Sequence, residues 1–266
     1  MSDRDERVGA VSDRHRLSGR ADAGAFLARV ARFDPAALVR LRSTGAGAGA
    51  GAAGPAERTQ LWAWLPWGVL VGRVVAGPGP GDATVSAAEL LAVLGRDDAT
   101  LPRRRDTDWR WPLPPSPGVV VERIAGTELR RIAEAAAGTL RTAATEGVAG
   151  RAVGQRALRD ALLDHVAVVV TGPASAGSAA AGSASAGSAP IGSAGSAGSA
   201  PTADTGRIEV SQRLVQGIVR MGFLGSPGSS DLDAVQVRTV GRWVGLAAPF
   251  GVAWSRNASQ FAIRPA

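Results

Sequence analysis

The sequence predicts an α+β protein with two lobes, each an antiparallel β-sheet packed against helices. Three observations favour this fold class. Short strand-like apolar runs alternate with glycine and proline turns, and amphipathic helical segments stand among them. A segment rich in proline and arginine, residues 100–117, connects the two lobes. A glycine, alanine and serine tract, residues 171–206, stands between two runs that both resemble strands, so we interpret it as a disordered insertion in a hairpin.

The N-terminal lobe is expected at residues 21–99, after a polar arm at residues 1–20 that we expect to be disordered. Asp22 is the expected N-cap of a helix with one apolar face, formed by Phe26, Leu27, Val30 and Phe33. Three strands are expected next, at residues 37–43, 59–65 and 67–77. A short strand and a second helix complete the lobe, and Ser86 with Glu89 three residues later has the spacing of a capping box.

The C-terminal lobe is expected at residues 118–258, before a tail at residues 259–266. A strand and two helices lead to the runs that flank the tract, residues 165–170 and 207–210. Ser211 is the expected cap of the next helix. The lobe closes with a β-meander of three strands, at residues 234–241, 242–248 and 250–256.

One sequence echo relates the two lobes. Residues 66–73, PWGVLVGR, match residues 249–256, PFGVAWSR, at the proline, the aromatic residue, the Gly-Val pair and the final arginine. Each segment is the third strand-like run after a helix. An internal duplication of a helix and three strands explains the echo, and so does chance similarity in a sequence of biased composition.

Four segments carry a resemblance to a known family: LPWGVLVGR, RALRDALLDHVAVVV, RLVQGIVRMGFLG and GRWVGLAAPFGVAW. They resemble an uncharacterised family of proteins from high-GC actinobacteria. The resemblance implies a bacterial cytosolic protein, and it transfers no activity and no site.

The residue types that are missing from the sequence exclude several chemistries. The formal charge is +7, and all 30 basic residues are arginine. Without lysine there is no Walker A loop and no Schiff base, and without cysteine there is no thiol nucleophile and no thiolate metal site. With His15 assigned to the arm, His165 is the one histidine available to the fold, and its place at a helix-to-strand boundary favours a structural role. We predict no catalytic residue, no metal ligand and no cofactor.

Two further patterns resemble binding sites. Asp160 and Asp164 lie one helical turn apart, which fits either a weak metal site or a helix surface with ion pairs to Arg156 and Arg159, and we favour the second interpretation. The loop at residues 77–81 has glycine at alternate positions, as a dinucleotide loop does. Its two prolines remove amides that would hold phosphate, so we do not assign a nucleotide site there.

Basic and aromatic residues are mixed at residues 103–105, Trp109 and Trp111. This combination can bind anions or stacked bases. The alternative, which we favour, is that the tryptophans cover the core while the arginines stay hydrated, partly balanced by Asp106 and Asp108.

The C-terminal lobe also permits a winged-helix interpretation. Its helix at residues 212–224 would be the recognition helix and the first two strands of the meander the wing. The predicted nucleic-acid contacts are Arg213 and Arg220 on the helix and Arg238 and Arg242 on the wing. The first helix of the motif would be the one at residues 156–165. Two strands and the tract separate it from the recognition helix, whereas the two helices of a helix-turn-helix are only a few residues apart.

Location is predicted from two features. The N-terminus carries charges of both signs and no apolar run, unlike a secretory signal. The longest apolar stretch, residues 61–72, is broken by Pro66 and is too short to span a bilayer. We therefore expect a cytoplasmic protein without a membrane partner.

The function that the sequence favours is non-catalytic: a cytosolic interaction or scaffold protein that presents sheet or helix surfaces to a protein partner. The first alternative is a winged-helix-like DNA-binding protein that uses the C-terminal lobe. The second is a hydrolase or other enzyme that relies on Asp, Glu, Arg and Ser. The sequence leaves the partner and the oligomeric state open.

Overall fold

The computed structural model describes residues 13–44, 57–115, 118–146, 154–173, 205–226 and 234–256. Within these ranges the chain forms five α-helices and ten strands. The helices are α1 (Arg20–Phe33), α2 (Ala87–Gly95), α3 (Gly126–Glu146), α4 (Gln155–Asp164) and α5 (Gln212–Arg220). The strands are β1 (Leu38–Thr44), β2 (Arg58–Leu65), β3 (Val69–Ala76), β4 (Asp82–Ser86), β5 (Val119–Ala125), β6 (Val166–Pro173), β7 (Thr205–Ser211), β8 (Ala234–Val240), β9 (Trp243–Ala248) and β10 (Gly251–Arg256).

Eight of these strands form one antiparallel sheet in the order β4-β1-β2-β3-β10-β9-β8-β5, and β6 pairs with β7 in a separate hairpin. The predicted α+β class with antiparallel sheets packed against helices is confirmed. The first four strands come from the N-terminal half of the chain and the last four from the C-terminal half, so the two lobes are two halves of one continuous sheet. They meet where β3 pairs with β10.

The strand order has approximate two-fold symmetry about this β3–β10 junction. Moving outward from it, each half contributes three consecutive strands and then an edge strand, β4 on one side and β5 on the other. The sequence echo equates Leu70 with Ala253 and Val71 with Trp254. The ladder pairs Leu70 with Trp254 and Val71 with Ala253, so a two-fold axis between these pairs exchanges each residue with its equivalent. This is the register that an internal duplication of one helix and three strands would give.

One face of the sheet, the helix face, is covered by the helices. In β2, alternate residues point to this face and are fully buried, including Leu61, Ala63 and Leu65. Apolar residues at helical spacing in α1 pack onto the same core. In α5 almost the whole circumference is buried: Gln212, Leu214, Val215, Gln216, Gly217 and Ile218. α5 lies over β3, β9 and β10, so it covers the junction between the halves.

The opposite face, the tryptophan face, has a second core built from Trp62, Leu70, Trp243 and Trp254. Two of these rings lie across glycines on the neighbouring strand. Trp62 is paired with Gly72, and Trp254 with Gly245. A Cβ on Gly72 would stand 2.6 Å from the Trp62 ring, and one on Gly245 would collide with the Trp254 ring. Glycine is required at both positions because the indole occupies the side-chain space.

The proline-rich connection packs against the tryptophan face. Trp111 stacks on Trp64 with ring centroids 5.6 Å apart, and Trp109 meets Trp111 edge to face. The backbone amide of Arg105 donates to the carbonyl of Thr84 (2.7 Å), and the Asp106 side-chain Oδ1 accepts from the backbone amide of Thr84 (2.6 Å). These bonds close the β4 edge of the sheet. The segment therefore covers the sheet as well as joining the halves.

Residues 13–19 pack against the fold, where the sequence predicted the end of a disordered arm. Arg14 bridges to Thr100, and His15 is buried, with Nδ1 accepting from the amide of Leu17 (3.0 Å) and Nε2 on the carbonyl of Asp98 (2.9 Å). A hydrophilic composition does not reveal a histidine whose two nitrogens are both satisfied by backbone groups. Residues 1–12 lie outside the described residues, as does the predicted tail at 259–266.

The helix caps agree with the sequence in part. α2 begins at the predicted cap, because Ser86 Oγ accepts from the amide of Glu89 (3.4 Å). α1 begins two residues before Asp22, with Gly19 at the cap position, and Asp22 instead pairs with Arg73 of β3 (2.5 Å). Ser211 occupies the N-cap of α5 without a side-chain cap bond.

The predicted pairing of the two strands around the glycine, alanine and serine tract is confirmed. Val168 pairs with Val210, and Val170 with Ile208. The ladder continues to Pro173 and Thr205, so β6 and β7 include both ends of the predicted insertion; residues 174–204 lie outside the described residues. None of the helices in the described part of the chain is long and apolar enough to cross a membrane.

Replacing Gly245 by alanine should destabilise the protein by about 1–3 kcal/mol, because the new methyl group overlaps the Trp254 ring and the core must shift. The matched control is Gly95→Ala, whose added Cβ meets no atom within 4 Å. Urea denaturation followed by tryptophan fluorescence measures both variants. Equal stability of Gly245→Ala and the unmodified protein would contradict the packing of the tryptophan face.

Replacing residues 174–204 by a four-residue turn should leave the protein folded and raise its stability by roughly 2 kcal/mol, because the entropy cost of closing a loop grows with the logarithm of its length. Thermal and urea unfolding of the shortened protein measure this. A loss of folding would mean that the removed residues contribute contacts to the fold.

Candidate functional site

A cleft of about 590 Å³ lies at one end of the β3–β10 junction, where the β2–β3 turn of the first half meets α4 and α5 of the second. We call it the arginine cleft. It is lined by four arginines, one aspartate, one glutamine and four apolar residues: Arg156, Arg159, Arg213, Arg220, Asp160, Gln216, Phe33, Pro66, Trp67 and Leu163.

Trp67 stands at the centre of the apolar wall. It follows Pro66 in the β2–β3 turn, which Gly68 completes at φ +83° with its amide on the carbonyl of Leu65 (3.0 Å). Phe33, the last residue of α1, meets the indole edge to face at 5.1 Å. The guanidinium of Arg220 lies over the Trp67 ring, 5.6 Å from its centroid.

Arg213 connects its own helix, α5, to the β2–β3 turn and to the end of α4. Its Nη1 donates to the carbonyl of Trp67 (2.5 Å), and its Nε donates to Asp164 Oδ1 at the end of α4 (2.7 Å). The indole Nε1 of Trp67 returns a hydrogen bond to the carbonyl of Arg213 (3.3 Å). Exposed ion pairs contribute about 0–1 kcal/mol to stability, and Asp164 is 65% exposed, so we interpret the pair as positioning Arg213 more than stabilising the fold.

Arg220 is fixed by its neighbours at the rim of the cleft. Its Nε donates to Gln216 Oε1 (2.8 Å), and Gln216 is itself buried, with Nε2 donating to the carbonyl of Ala133 (3.4 Å). Burial, and then the positive charge of Arg159, lower the pKa of the Arg220 guanidinium from its ordinary value. Arg220 remains a cation, so two positively charged guanidinium groups, those of Arg220 and Arg159, face each other across this part of the cleft.

Arg156 and Arg159 stand on the exposed side of α4. Neither guanidinium forms an ion pair among the residues that the structure describes, although Asp160 lies on the same helix. Asp164, the carboxylate that does form an ion pair here, is bonded to Arg213. The cleft therefore combines uncompensated positive charge with an apolar wall, and it can hold an anionic group that has an apolar neighbour.

The predicted nucleic-acid contacts separate into two groups. Arg213 and Arg220 of α5 both line the cleft. Arg238 lies on the tryptophan face, where its Nε and Nη2 donate to Gln236 Oε1 at 3.0 and 2.6 Å, and Arg242 occupies the β8–β9 turn. Successive residues of a strand point to opposite faces of the sheet. The position of Arg238 in β8 therefore places its side chain on the face opposite α5.

The arrangement of the C-terminal half differs from a winged helix. α5 packs against the sheet with six of its nine residues buried, so it is not presented as a recognition helix. β8 and β9 are inner strands of the large sheet. The order of elements is compatible with the motif, but a helix with six of its nine residues buried against the fold is disfavoured as a groove-binding helix.

The other sequence-predicted groups have structural surroundings. His165 is exposed, and its carbonyl accepts from the amide of Gln212 (2.8 Å). Asp160 and Asp164 are both exposed, and the arginine that pairs with Asp164 comes from α5 and not from its own helix. The loop at residues 77–81 connects β3 to β4 with its three glycines at positive φ, and the amide of Gly77 is bonded to the carbonyl of Glu57 (2.9 Å).

The residues at 103–111 follow the interpretation that we favoured. Arg104 pairs with Asp106 (2.7 Å), and Arg105 with Asp108 (2.8 Å). Trp109 and Trp111 pack on the sheet. Sequence reasoning missed Trp67 as a site residue and treated Arg156 and Arg159 only as partners for aspartates. The Pro66-Trp67-Gly68 turn belongs to the sequence echo, which is the one sequence feature that marks Trp67.

Asp164 should titrate below the ordinary carboxyl range, because the hydrogen bond and charge of Arg213 lower its pKa. The stability from this ion pair is then complete above the ordinary aspartate pKa of about 3.9 and is lost as the pH falls through the lower folded-state pKa. In Arg213→Gln the pKa of Asp164 should rise toward its ordinary value, as measured by carboxyl ¹³C NMR.

The control in the same spectra is Asp82, whose pKa is lowered mainly by its hydrogen bond with Arg40, far from the cleft. Its titration should not change in Arg213→Gln. An unchanged Asp164 in that variant would show that the ion pair does not form in solution.

Comparison with known proteins identifies similar folds and two family models. The chain is similar to the DNA polymerase III subunit beta from Pseudomonas aeruginosa (14% identity, TM-score 0.48, covering 91% of this chain and 64% of that chain). It is also similar to the Helicobacter pylori beta clamp in complex with carprofen (10% identity, TM-score 0.46, covering 94% and 67%). The chain thus spans about two thirds of the length of these clamps. No curated protein matches.

The family models divide the chain into two consecutive parts. A domain of unknown function, DUF8010, matches residues 14–112, and a second, DUF8185, matches residues 113–260. Neither description states an activity, in agreement with the resemblance to an uncharacterised family. Because the second match covers more than half of the sequence, the chain belongs to the DUF8185 family of domains of unknown function.

Proposed function

We propose that the chain is a non-catalytic cytosolic binding protein that holds an acidic, partly apolar segment of a protein partner in the arginine cleft. The observation that supports this most directly is the convergence of Arg156, Arg159, Arg213 and Arg220 on one concave surface with Trp67. Arginine forks bind carboxylates through paired hydrogen bonds, which gives both attraction and geometry.

The charge balance favours an anionic ligand. Four guanidinium groups line the cleft, and the carboxylates near them are Asp160 and Asp164. Arg159 and Arg220 repel each other, since the positive charge of the first disfavours the charged form of the second. A carboxylate placed between them removes this repulsion and replaces water at both groups.

The apolar wall favours a protein segment over a nucleic-acid backbone. Phe33, Trp67 and Leu163 supply a surface that an aliphatic side chain next to the carboxylate can cover. Duplex DNA is contacted by basic groups spread along a surface, whereas these arginines converge in one cleft. The exposed position of both aspartates of α4 also disfavours carboxylate catalysis, which needs convergent acid and base groups.

The test uses a fluorescently labelled, end-capped peptide that alternates glutamate and leucine, with fluorescence anisotropy as the readout. The protein should bind this peptide, and Arg156→Ala/Arg159→Ala should weaken binding by about tenfold or more, because each charge-assisted hydrogen bond contributes about 1.5–3 kcal/mol. A peptide with glutamine in place of glutamate should bind the unmodified protein no more tightly than the glutamate peptide binds Arg156→Ala/Arg159→Ala.

The matched control is Arg131→Ala/Arg141→Ala, which removes two exposed arginines of α3 and gives the same net charge. Equal loss of affinity in both double variants would reduce the effect to non-specific attraction and defeat the proposal. A duplex DNA of about 20 base pairs forms the second arm. Binding of DNA more tightly than the peptide, with loss in Arg156→Ala/Arg159→Ala, would replace a protein partner by a nucleic acid.

A further inference from the structure

Residues 13–19, which we call the N-terminal strap, lie against the loop that follows α2 and against the end of β3. The amide of His15 donates to the carbonyl of Ala99 (2.9 Å), and the amides of residues 18 and 19 donate to the carbonyl of Ala76 (3.0 and 2.9 Å). In the described part of the chain, no residue pair of the eight-stranded sheet includes a strap residue. Release of the strap would therefore leave the ladders of the sheet in place.

His15 is 2% exposed, and backbone groups occupy both nitrogens of its ring. The carbonyl of Asp98, 2.9 Å from Nε2, can only accept a hydrogen bond, so Nε2 carries the hydrogen. The amide of Leu17, 3.0 Å from Nδ1, can only donate, so Nδ1 presents its lone pair. The docked strap thus requires the neutral imidazole with its hydrogen on Nε2.

A second proton on this ring has no acceptor. It would be added to Nδ1, and the new N–H would face the amide N–H of Leu17 at the position where that amide now donates. The docked strap would lose this hydrogen bond and would enclose two opposed donors and a positive charge inside the fold. Both consequences are unfavourable for buried polar groups.

The neighbouring charges do not compensate such a proton. The charged side chains of the strap, the first turn of α1 and the loop after α2 are four arginines and four aspartates: Arg14, Arg16, Arg20, Arg96, Asp13, Asp22, Asp97 and Asp98. Asp97 pairs with Arg20, and Asp98 Oδ1 accepts from the amide and the hydroxyl of Thr100 (2.9 and 2.8 Å). Among the described residues, no carboxylate is hydrogen-bonded to the His15 ring.

The backbone beside His15 is strained. Arg16 has a φ of +51°, in the left-handed region that side chains other than glycine disfavour, and this turn brings the amide of Leu17 back to the ring. Within the described ranges, Arg16 and Asp97 are the two non-glycine residues at positive φ, and both lie at the contact between the strap and the loop after α2. Release of the strap would relieve the strain at Arg16.

We propose that His15 is a pH-sensitive latch: protonation of its imidazole releases the N-terminal strap from the loop after α2 and from β3, while the eight-stranded sheet stays intact. The released strap binds a proton that the docked strap excludes, so a falling pH favours release. Docking is complete above the ordinary histidine range, centred at about pH 6.5, and is lost progressively below it. The latch does not depend on the arginine cleft, because none of the residues that line the cleft belongs to the strap.

The experiment measures amide hydrogen exchange of the ¹⁵N-labelled full chain at pH 7.5 and pH 5.0. The rates are expressed as protection factors, which remove the intrinsic pH dependence of exchange. The protection of the amides of His15, Ser18 and Gly19 should fall about tenfold or more at pH 5.0, because each pH unit below about 6.5 disfavours docking by up to tenfold. The amides that pair β2 with β3 should keep their protection.

His15→Asn removes the titrating group and keeps an oxygen that can accept from the amide of Leu17, as in an Asx turn. Its strap should be equally protected at both pH values. The matched control is His165→Asn, which removes an exposed histidine and should behave as the unmodified protein does. A fall of less than tenfold in the unmodified protein, or an equal fall in His15→Asn, would overturn the proposal.

The ring itself supplies a test that needs no variant. Long-range ¹H–¹⁵N spectra of the unmodified protein at pH 7.5 should show His15 neutral, with its hydrogen on Nε2. A charged ring, or a hydrogen on Nδ1, would overturn the latch. This measurement decides the question if the strap of His15→Asn is unprotected at both pH values.

Discussion

The pairing of β3 with β10 is the interaction on which the rest of this structure depends. It consists of three residue pairs, yet it joins two four-stranded halves into one sheet. α5 reinforces it from the helix face, because Gly217 lets the helix approach both strands: a Cβ there would stand 3.1 Å from Val69 of β3 and 3.5 Å from Ala253 of β10. Phe26 of α1 stacks on Phe223 after α5 at 6.4 Å, so the cores of the halves are also continuous. A break in this ladder would expose apolar surface of both halves, because they share one continuous core.

The apolar residues on the two faces of the sheet are covered in different ways. Helices cover one face with aliphatic side chains, as in most α+β proteins. The other face has large rings laid over glycines, Trp62 over Gly72 and Trp254 over Gly245, and an extended segment in place of a helix layer. That segment also ends the sheet at β4 through Arg105 and Asp106, which removes the exposed edge that an open strand would offer to other chains.

The two ends of this junction are built alike, since each turn that precedes a central strand places a proline and an aromatic ring against the opposite half. At the start of β3 the neighbouring helices supply arginines, and the aromatic ring is covered by Phe33 and Arg220. At the start of β10 the corresponding ring, that of Phe250, is 47% exposed. The two ends can differ in this way because the sheet register is constrained by the core, whereas the side chains at its ends are not.

Local sequence patterns were sufficient to predict most of the helices and strands and the α+β class. Alternation of apolar residues in β2, helical spacing in α1 and the Ser86 cap are local patterns, and local backbone chemistry is sufficient to interpret them. It also revealed the echo between the two central strands. Local patterns could not predict that these two strands pair with each other or that His15 is buried. Nor could they predict that Arg213 and Arg220 share a cleft with Trp67 while Arg238 lies on the opposite face. The physical reason is that burial and charge compensation depend on neighbours distant in sequence: Trp67 and Arg213 contact each other only because β3 and β10 close the sheet between them.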